Sequence, residues 1–346
     1  MTDFHQNLKV CVIGAGAIGG LIAAHLARIG TMVHVIDRGE QLAAIRKHGL
    51  QVCSKDVDHS IHVRIPASEG FDSGLQDIIF LAVKTMQIAD AVRNIDALMH
   101  DDTVVITVQN GVPWWYFQRH GGTYESRYLE TIDPDGAIST HIDPSRIIGC
   151  VAYPAATIVR PGVIRHIEGN RFPIGELDNT KSDRVSRISE LLTGAGLKSR
   201  ILADLRSEVW LKLWGALAFN PISMLTRATL EDICQNAYTR KLAAEMMCEA
   251  EKIATELGIS FRVPMEKRIT GAERVGAHKT STLQDIEAGR NTELDALLGA
   301  VIELGRLTGT PTPHLDSVFA SCKLLEKTVL QGVSNQGSTD SFTFPF

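Results

Sequence analysis

The first third of the chain alternates short apolar runs with stretches of helical periodicity. Residues 10–13 are apolar, and a glycine-rich stretch leads from them into a helical pattern that ends at Gly30. Residues 31–36 form a second strand-like run. Residues 77–83 and 103–108 are continuous apolar runs, as in strands that are buried on both faces. This pattern predicts an α/β domain built on a parallel sheet.

The turn after the first apolar run has the sequence GAGAIGG. Gly14 allows a sharp turn, Gly16 lets the backbone approach a pyrophosphate, and Gly19 lets the helix pack on the strand. Asp37 ends the second strand about twenty residues later, where a ribose-binding side chain is expected. The residues predicted to contact a dinucleotide in this turn are Gly14, Ala15, Gly16, Ala17, Ile18 and Gly19. The alternative is a tight turn in a sheet that binds nothing.

The next two strands both end in polar residues. Lys84 follows residues 77–83, and Asn110 follows residues 103–108. Because ligands bind at the carboxyl ends of strands in an open parallel sheet, we expect the glycine turn, Lys84 and Asn110 to share one crevice. Taken singly, Lys84 could be a solvated lysine and Asn110 a turn residue before a glycine.

The remaining pattern of this domain is less regular. It predicts helices at residues 39–49, 85–99 and 181–196, a hairpin at 51–67, and strands at 147–159, 162–169, 171–176 and 197–202. Residues 114–144 are rich in aromatic residues, glycine and charge. We expect them to form an insertion over the crevice, either a lid or a surface loop with a small apolar anchor.

Strand patterns stop near residue 204, where apolar positions begin to recur at helical spacing. Further helices are predicted at residues 239–257, 264–275, 281–288, 293–308 and 314–330. We therefore divide the chain into a dinucleotide-binding domain at 1–203, a helical substrate domain at 204–330 and a mobile tail at 331–346.

Composition limits the classes of function. Of the 346 residues, 44% are hydrophobic and 22% are charged, as in ordinary globular proteins. The net charge is -5 and the basic residues are scattered, so we expect a small-molecule partner, no nucleic acid and no membrane. The start of the chain lacks a signal-peptide pattern, which predicts a cytoplasmic protein. The six cysteines and twelve histidines are dispersed, so neither disulfides nor a metal site is expected.

Lys212 is the strongest catalytic candidate in the second half. It lies between Leu211 and Leu213 in an apolar helical pattern, within one turn of Trp210 and Trp214. Partial desolvation there would favour the neutral amine and make the ammonium a better proton donor. The alternative is a lysine whose stem lies on apolar surface while its ammonium reaches water.

In these motifs the chain resembles the ketopantoate reductase (2-dehydropantoate 2-reductase) family. The matching segments are GAGAIGG, RGEQLAAIRKHGL, LAVKTMQIAD, QNGV, PGVIRH, WLKLWGALAFNPIS and STLQDIEAGRNTELDAL. The resemblance implies a Rossmann-type domain and an all-α domain like that of 6-phosphogluconate dehydrogenase, with the active site in the cleft between them. It also implies NADPH-dependent reduction of a 2-keto acid in pantothenate biosynthesis, and a homodimer.

The resemblance further implies a role for each of several residues. They are Lys212 as general acid, Lys84 and Asn110 as cofactor and substrate contacts, Asn220 and Ser281 as substrate contacts, and Glu293 as a catalytic residue at the cofactor and the lysine. Without the resemblance, Ser281 and Gln284 match a helix capping box, and Glu293 is a favourable acid in the first turn of a helix.

Two positions depart from the family pattern and leave alternatives open. Ala216 stands where the family usually has an asparagine, so the substrate is ketopantoate or, alternatively, another 2-keto acid or an opine-like adduct. Asp37 suits a ribose diol, whereas Arg38 suits a 2′-phosphate, so NADPH is the first expectation and NAD the alternative. A hypothesis from another class is a protein that senses dinucleotide without catalysis.

Overall fold

The computed structural model describes residues 7–54 and 60–336. The chain divides into two compact units, Met1–Glu208 and Val209–Phe346. The turn of the predicted hairpin at residues 55–59 lies outside the described residues. The last helix includes residues 331–336 of the predicted mobile tail, and residues 337–346 of that tail lie outside the description.

The first unit is built on a large, mostly parallel sheet. The described strands are β1 (Lys9–Ile13), β2 (Met32–Ile36), β3 (Leu50–Cys53), β4 (Ile61–Val63), β5 (Ala67–Ser68), β6 (Gln76–Leu81), β7 (Met99–Thr107), β8 (Ile147–Cys150), β9 (Ala155–Arg160), β10 (Val163–Glu168) and β11 (Ile174–Glu176). The large sheet has the order β11-β8-β7-β6-β1-β2-β5, and within it β11 runs antiparallel to β8 while the other pairs are parallel. The predicted α/β fold is confirmed.

A second, smaller sheet covers the first helix of the chain. The helices of this unit are α1 (Ala17–Arg28), α2 (Gly39–His48), α3 (Ile88–Val92) and α4 (Asp183–Gly194). The small sheet has the order β4-β3-β10-β9. Leu21 of α1 shares a buried core with Val12 of β1 and Ile164 of β10. Gly20 permits the approach, because a β-carbon there would lie 2.3 Å from Cδ1 of Ile164. Helix α1 thus packs between two sheets.

Three predicted elements differ from the structure. The single strand expected at residues 147–159 is two strands, β8 in the large sheet and β9 in the small one, and Pro154, which has no N–H to donate, lies between them. Residues 197–202 make isolated bridges instead of a strand. The helix expected at 85–99 is the short α3 with a 3₁₀ turn on either side.

Residues 114–144 are a packed part of the first unit. The four consecutive aromatic residues at 114–117 are each at most 2% exposed. The guanidinium of Arg206, itself buried, donates to the backbone carbonyls of Tyr116, Gln118 and Leu177. Residues 119–128 that follow are exposed or partly exposed. The segment therefore agrees with the surface loop on an apolar anchor, and the anchor consists of these four aromatic residues.

From residue 205 onward the described chain is helical. The helices are α5 (Leu205–Thr226), α6 (Leu230–Gln235), α7 (Ala237–Glu256), α8 (Met265–Glu273), α9 (Ser281–Glu287), α10 (Ala300–Thr308) and α11 (Pro313–Gln336), with a π-helical turn at Asp295–Gly299. Helix α6 was not among the predicted helices, although Thr229 and Asp232 form a capping box at its start. None of the helices in the described ranges is both long and apolar enough to cross a membrane.

Candidate functional site

The glycine turn joins β1 to α1 at the carboxyl edge of the large sheet. Gly14 has a φ of 91°, which suits glycine, and its N–H donates to the carbonyl of Ile36 at 2.8 Å. A β-carbon at Gly19 would lie 2.0 Å from the carbonyl oxygen of Gly14. The turn can therefore close on α1 only because both positions lack a side chain.

Gly16 has no such packing role, since nothing lies within 4 Å of the place where its β-carbon would be. It is the N-cap of α1, no side chain caps the helix, and no acidic residue lies in the first turn after Ala17. The N–H groups of a helix N-terminus attract anions. The open space at Gly16, next to these N–H groups, fits the pyrophosphate of a dinucleotide.

Asp37 turns its carboxylate toward the glycine turn. Its Oδ2 accepts a hydrogen bond from the N–H of Ala15, and its Oδ1 accepts one from the N–H of Arg38, both at 2.7 Å. Burial raises the pKa of Asp37, and these backbone hydrogen bonds oppose the rise. Arg38 is exposed at the start of α2. Asp37 therefore supports the turn, and Arg38 places a positive charge beside it.

Lys84 and Asn110 lie just beyond the carboxyl ends of β6 and β7. These strands are neighbours, and β6 also pairs with β1, which leads into the glycine turn. The strand order changes direction between β1 and β6, and ligands bind in α/β sheets at such a point. Gln109 ties the two strand ends together by donating from Nε2 to the carbonyl of Leu81 at 2.6 Å. The turn, Lys84 and Asn110 thus lie at one edge of the sheet.

In the second unit, α5 places Lys212, Ala216 and Asn220 on one face. The three residues are spaced by four, so their side chains lie one above the other. All three are partly exposed, whereas the residues that follow each of the first two, Leu213 and Leu217, are buried. The face therefore carries an ammonium and an amide with a single methyl group between them.

Trp210 and Trp214 lie away from Lys212. Residues two positions apart in a helix point to nearly opposite sides. Both tryptophans are fully buried and pack on Phe261, with ring centroids 6.5 Å and 4.0 Å away. The expectation that these two rings desolvate Lys212 is therefore wrong.

Asn220 is held by hydroxyl groups at the start of α9. Its Nδ2 donates to Oγ of Ser281 at 3.4 Å and to Oγ1 of Thr282 at 3.3 Å. Ser281 is the first residue of α9, but Thr280 is the N-cap. The alternative in which Ser281 and Gln284 form a capping box is wrong, because Thr280 takes that place.

Glu293 lies just before the π-helical turn Asp295–Gly299 and is partly exposed. The residue before it, Thr292, donates from its N–H and its hydroxyl to buried Glu326, at 2.8 Å and 2.6 Å. The helix predicted from residue 293 thus begins as a π-helical turn, a feature that is frequent at functional sites.

The described histidine, cysteine and carboxylate side chains form no cluster at metal-ligand distances, and Cys11 and Cys322 are buried thiols. Among the described residues, no group of three or more His, Cys, Asp or Glu side chains is placed to hold a metal ion. All six cysteines are free. Burial raises the pKa of Cys11 and of Cys322 to about 12, so both remain protonated thiols at neutral pH.

A glycine turn at the switch point of a parallel sheet is typical of dinucleotide-binding proteins, and the lysine–asparagine face of α5 adds groups that can bind and protonate a carbonyl compound. Residues 10–179 match the family described as Ketopantoate reductase PanE/ApbA, and residues 204–326 match Ketopantoate reductase PanE/ApbA C terminal. The 2-dehydropantoate 2-reductase of Mesorhizobium japonicum is 46% identical over 319 residues, which are 92% of this chain and 98% of that protein. The chain belongs to the ketopantoate reductase family and is an oxidoreductase.

Solved structures share the fold over nearly the whole chain. A candidate ketopantoate reductase from Ralstonia solanacearum MolK2 superimposes with a TM-score of 0.88 at 33% identity, over 93% of this chain and 98% of that one. A D-mandelate dehydrogenase, solved with NADH and anilino(oxo)acetate, has a TM-score of 0.80 at 22% identity, over 93% and 99%. The second likeness concerns the fold alone.

Sequence reasoning missed two residues that contact predicted site residues. Gln41 donates from Nε2 to the carbonyl of Ala15 at 2.6 Å. Thr282 shares the amide of Asn220 with Ser281. Gln41 lies in the RGEQLAAIRKHGL segment and Thr282 directly follows Ser281. Both residues lie inside segments that match the family, and this was the signal available for them.

Two glycine substitutions should separate packing from ligand binding. Gly16→Ala places a methyl group in open space, so the thermal midpoint should hold while the Kd for NADPH or NADH rises about tenfold or more. Gly19→Ala drives a methyl group into the carbonyl of Gly14, so the free energy of unfolding should fall by about 2 kcal/mol or more. Calorimetric titration and urea denaturation measure the two effects. Unaltered dinucleotide affinity in Gly16→Ala would contradict the phosphate site.

Proposed function

We propose that this protein reduces 2-dehydropantoate (ketopantoate) to pantoate with NADPH, as a step of pantothenate biosynthesis. The observation that carries the proposal is the face of α5, where Lys212 and Asn220 are partly exposed and the amide of Asn220 is held by Ser281. An ammonium and fixed hydrogen-bonding groups on one face suit a keto acid, which has a carbonyl oxygen and a carboxylate to be bound. Family membership supports the same substrate.

In this proposal each residue has one task. The glycine turn and the N-terminus of α1 hold the nucleotide, which when bound supplies the hydride. Lys212 polarises the keto oxygen and donates a proton to it as the alcohol forms, and then regains a proton from solvent. Asn220, Ser281 and Asn110 hold the substrate, and Lys84 contacts the cofactor. Glu293 orients the ammonium of Lys212.

The first test of the proposed function is the rate of NADPH and NADH oxidation with ketopantoate and with other 2-keto acids. Lys212→Ala should lower kcat by about a hundredfold or more while the Kd for the nucleotide changes little, since the proton donor is lost and the nucleotide loop is intact. Lys241→Ala, at another position of the helical unit, is the control. A kcat for Lys212→Ala equal to that of the wild type would end the assignment of the general acid.

We further propose NADPH as the preferred nucleotide. Each carboxylate oxygen of Asp37 already accepts a backbone hydrogen bond, which offsets part of the repulsion between this carboxylate and a phosphate. Arg38 is exposed next to it and can pair with a 2′-phosphate in a bidentate manner. This arrangement favours NADPH over NADH, although Asp37 retains lone pairs that a ribose diol could use.

Arg38→Gln tests the choice of nucleotide. The KM for NADPH should rise about tenfold or more, because the 2′-phosphate loses its cation, and the KM for NADH should stay within about twofold. Lys47→Gln removes the same charge from an exposed position near the end of α2 and should change neither value. Preference of the wild type for NADH, with no effect of Arg38→Gln, would assign Asp37 to the ribose instead.

Ala216 supports a second candidate, a reductase of another 2-keto acid. Its methyl group lies between Lys212 and Asn220 on α5 and offers no hydrogen bond to a substrate hydroxyl. Turnover of an apolar 2-keto acid with none of ketopantoate would favour this candidate. Nucleotide binding without turnover of any keto acid would favour the dinucleotide sensor.

The homodimer stays a prediction, which light scattering during size-exclusion chromatography would test.

A further inference from the structure

Side chains hold both backbone polar groups of Ala15, and these belong to two consecutive peptide groups of the glycine turn. Asp37 accepts from the N–H of Ala15 at 2.7 Å, and Gln41 of α2 donates to its carbonyl at 2.6 Å. Ala15 directly precedes Gly16, where the helix N-terminus opens into free space. The carbonyl of Ala15 and the N–H of Gly16 belong to one planar peptide group, so the bond from Gln41 sets the direction of that N–H.

Gln41 reaches beyond the glycine turn to the small sheet. Its Oε1 accepts from the N–H of Gly162, in the turn between β9 and β10, at 2.9 Å. An N–H can only donate, so this bond fixes the oxygen of the Gln41 amide toward Gly162 and its NH₂ group toward Ala15. The carbonyl of Gly162 accepts from the N–H of Gln51 on β3 at 2.9 Å, so the turn is itself anchored in the sheet.

The turn lies against α2 closely enough to hold Gln41 in place. Gly162 has a φ of 76°, and a β-carbon there would lie 3.2 Å from Cβ of Ala44 and 3.4 Å from the carbonyl oxygen of Gly49. Gln41 is half-buried. Since a long amide side chain has several rotamers when free, a partner at each end of the amide is needed to hold it in one.

We propose that Gln41 is a positioning residue for the nucleotide, which couples the β9–β10 turn of the small sheet to the pyrophosphate-binding loop. The inference rests on the proposed dinucleotide binding and goes beyond it by assigning the small sheet a part in the site. Gln41 acts on the loop backbone through Ala15. Its effect therefore falls on the pyrophosphate, which NADPH and NADH share.

Gln41→Leu removes both hydrogen bonds at similar side-chain size. The Kd should rise about tenfold for NADPH and for NADH alike, while kcat at saturating nucleotide stays within about twofold. Arg38→Gln, in contrast, should weaken the binding of NADPH and leave the binding of NADH unchanged. Lys47→Gln, on the exposed end of the same helix, is the control for changes in α2. A residue that serves only fold stability would lower the thermal midpoint and leave both Kd values as they are.

A second measurement follows the loop directly. In nucleotide-free protein, Gln41→Leu should speed hydrogen exchange in the proteolytic fragment that covers the glycine turn, because the carbonyl of Ala15 loses its side-chain hydrogen bond. If Gln41→Leu fails to fold, Gln41→Asn keeps the amide but is one methylene too short to reach both partners, and the same changes are expected.

The outcomes separate this inference from the proposed function. Wild-type protein that binds neither nucleotide would overturn the proposed function and the inference with it. Wild-type protein that binds nucleotide, together with unchanged Kd values and unchanged exchange in the Gln41 variants, would overturn the inference alone. A rise in Kd for NADPH but not for NADH would also overturn it, since the shared pyrophosphate would then be unaffected.

Discussion

The packing of the first unit depends on how closely the neighbouring turn and the small sheet can approach helix α1. At Gly19 the helix meets the carbonyl of the turn that precedes it, and at the next residue, Gly20, it meets Ile164 of the small sheet. A methyl group at either position would force the helix away from one of its two sheets. Two adjacent glycines thus allow a single helix to pack closely on two of its sides, and its N-terminus is held where β1 ends.

Much of the large sheet can be predicted because its strands are buried on both faces. Their apolar runs are continuous, and the runs at residues 10–13, 77–83 and 103–108 correspond to β1, β6 and β7. The separation into two sheets cannot be predicted in this way. A half-buried strand looks the same in sequence whichever sheet it joins, and the connection through Pro154 differs from a strand only by a missing N–H.

The same distinction holds in the candidate site. Features that depend on helical spacing can be predicted, whereas contacts between distant segments cannot. The face shared by Lys212 and Asn220 follows from helical spacing alone, whereas closeness in sequence misplaces Trp210 and Trp214 because a helix turns by 100° per residue. The orientation of Asp37 toward Ala15 joins segments about twenty residues apart, and no local pattern reveals it. Adjacent hydroxyl residues, such as Thr280 and Ser281, leave the choice of helix cap open until the backbone is known.

The buried guanidinium of Arg206 has a consequence for the order in which the chain is made. Its carbonyl partners at Tyr116 and Gln118 leave the ribosome first, and Arg206 follows 90 and 88 residues later. During that interval the aromatic segment has apolar rings to bury and carbonyl groups without their final donor. The first unit therefore cannot complete its packing until the first turn of α5 has emerged. A ribosome-bound chain that stops before residue 206 should expose this aromatic segment to chaperones.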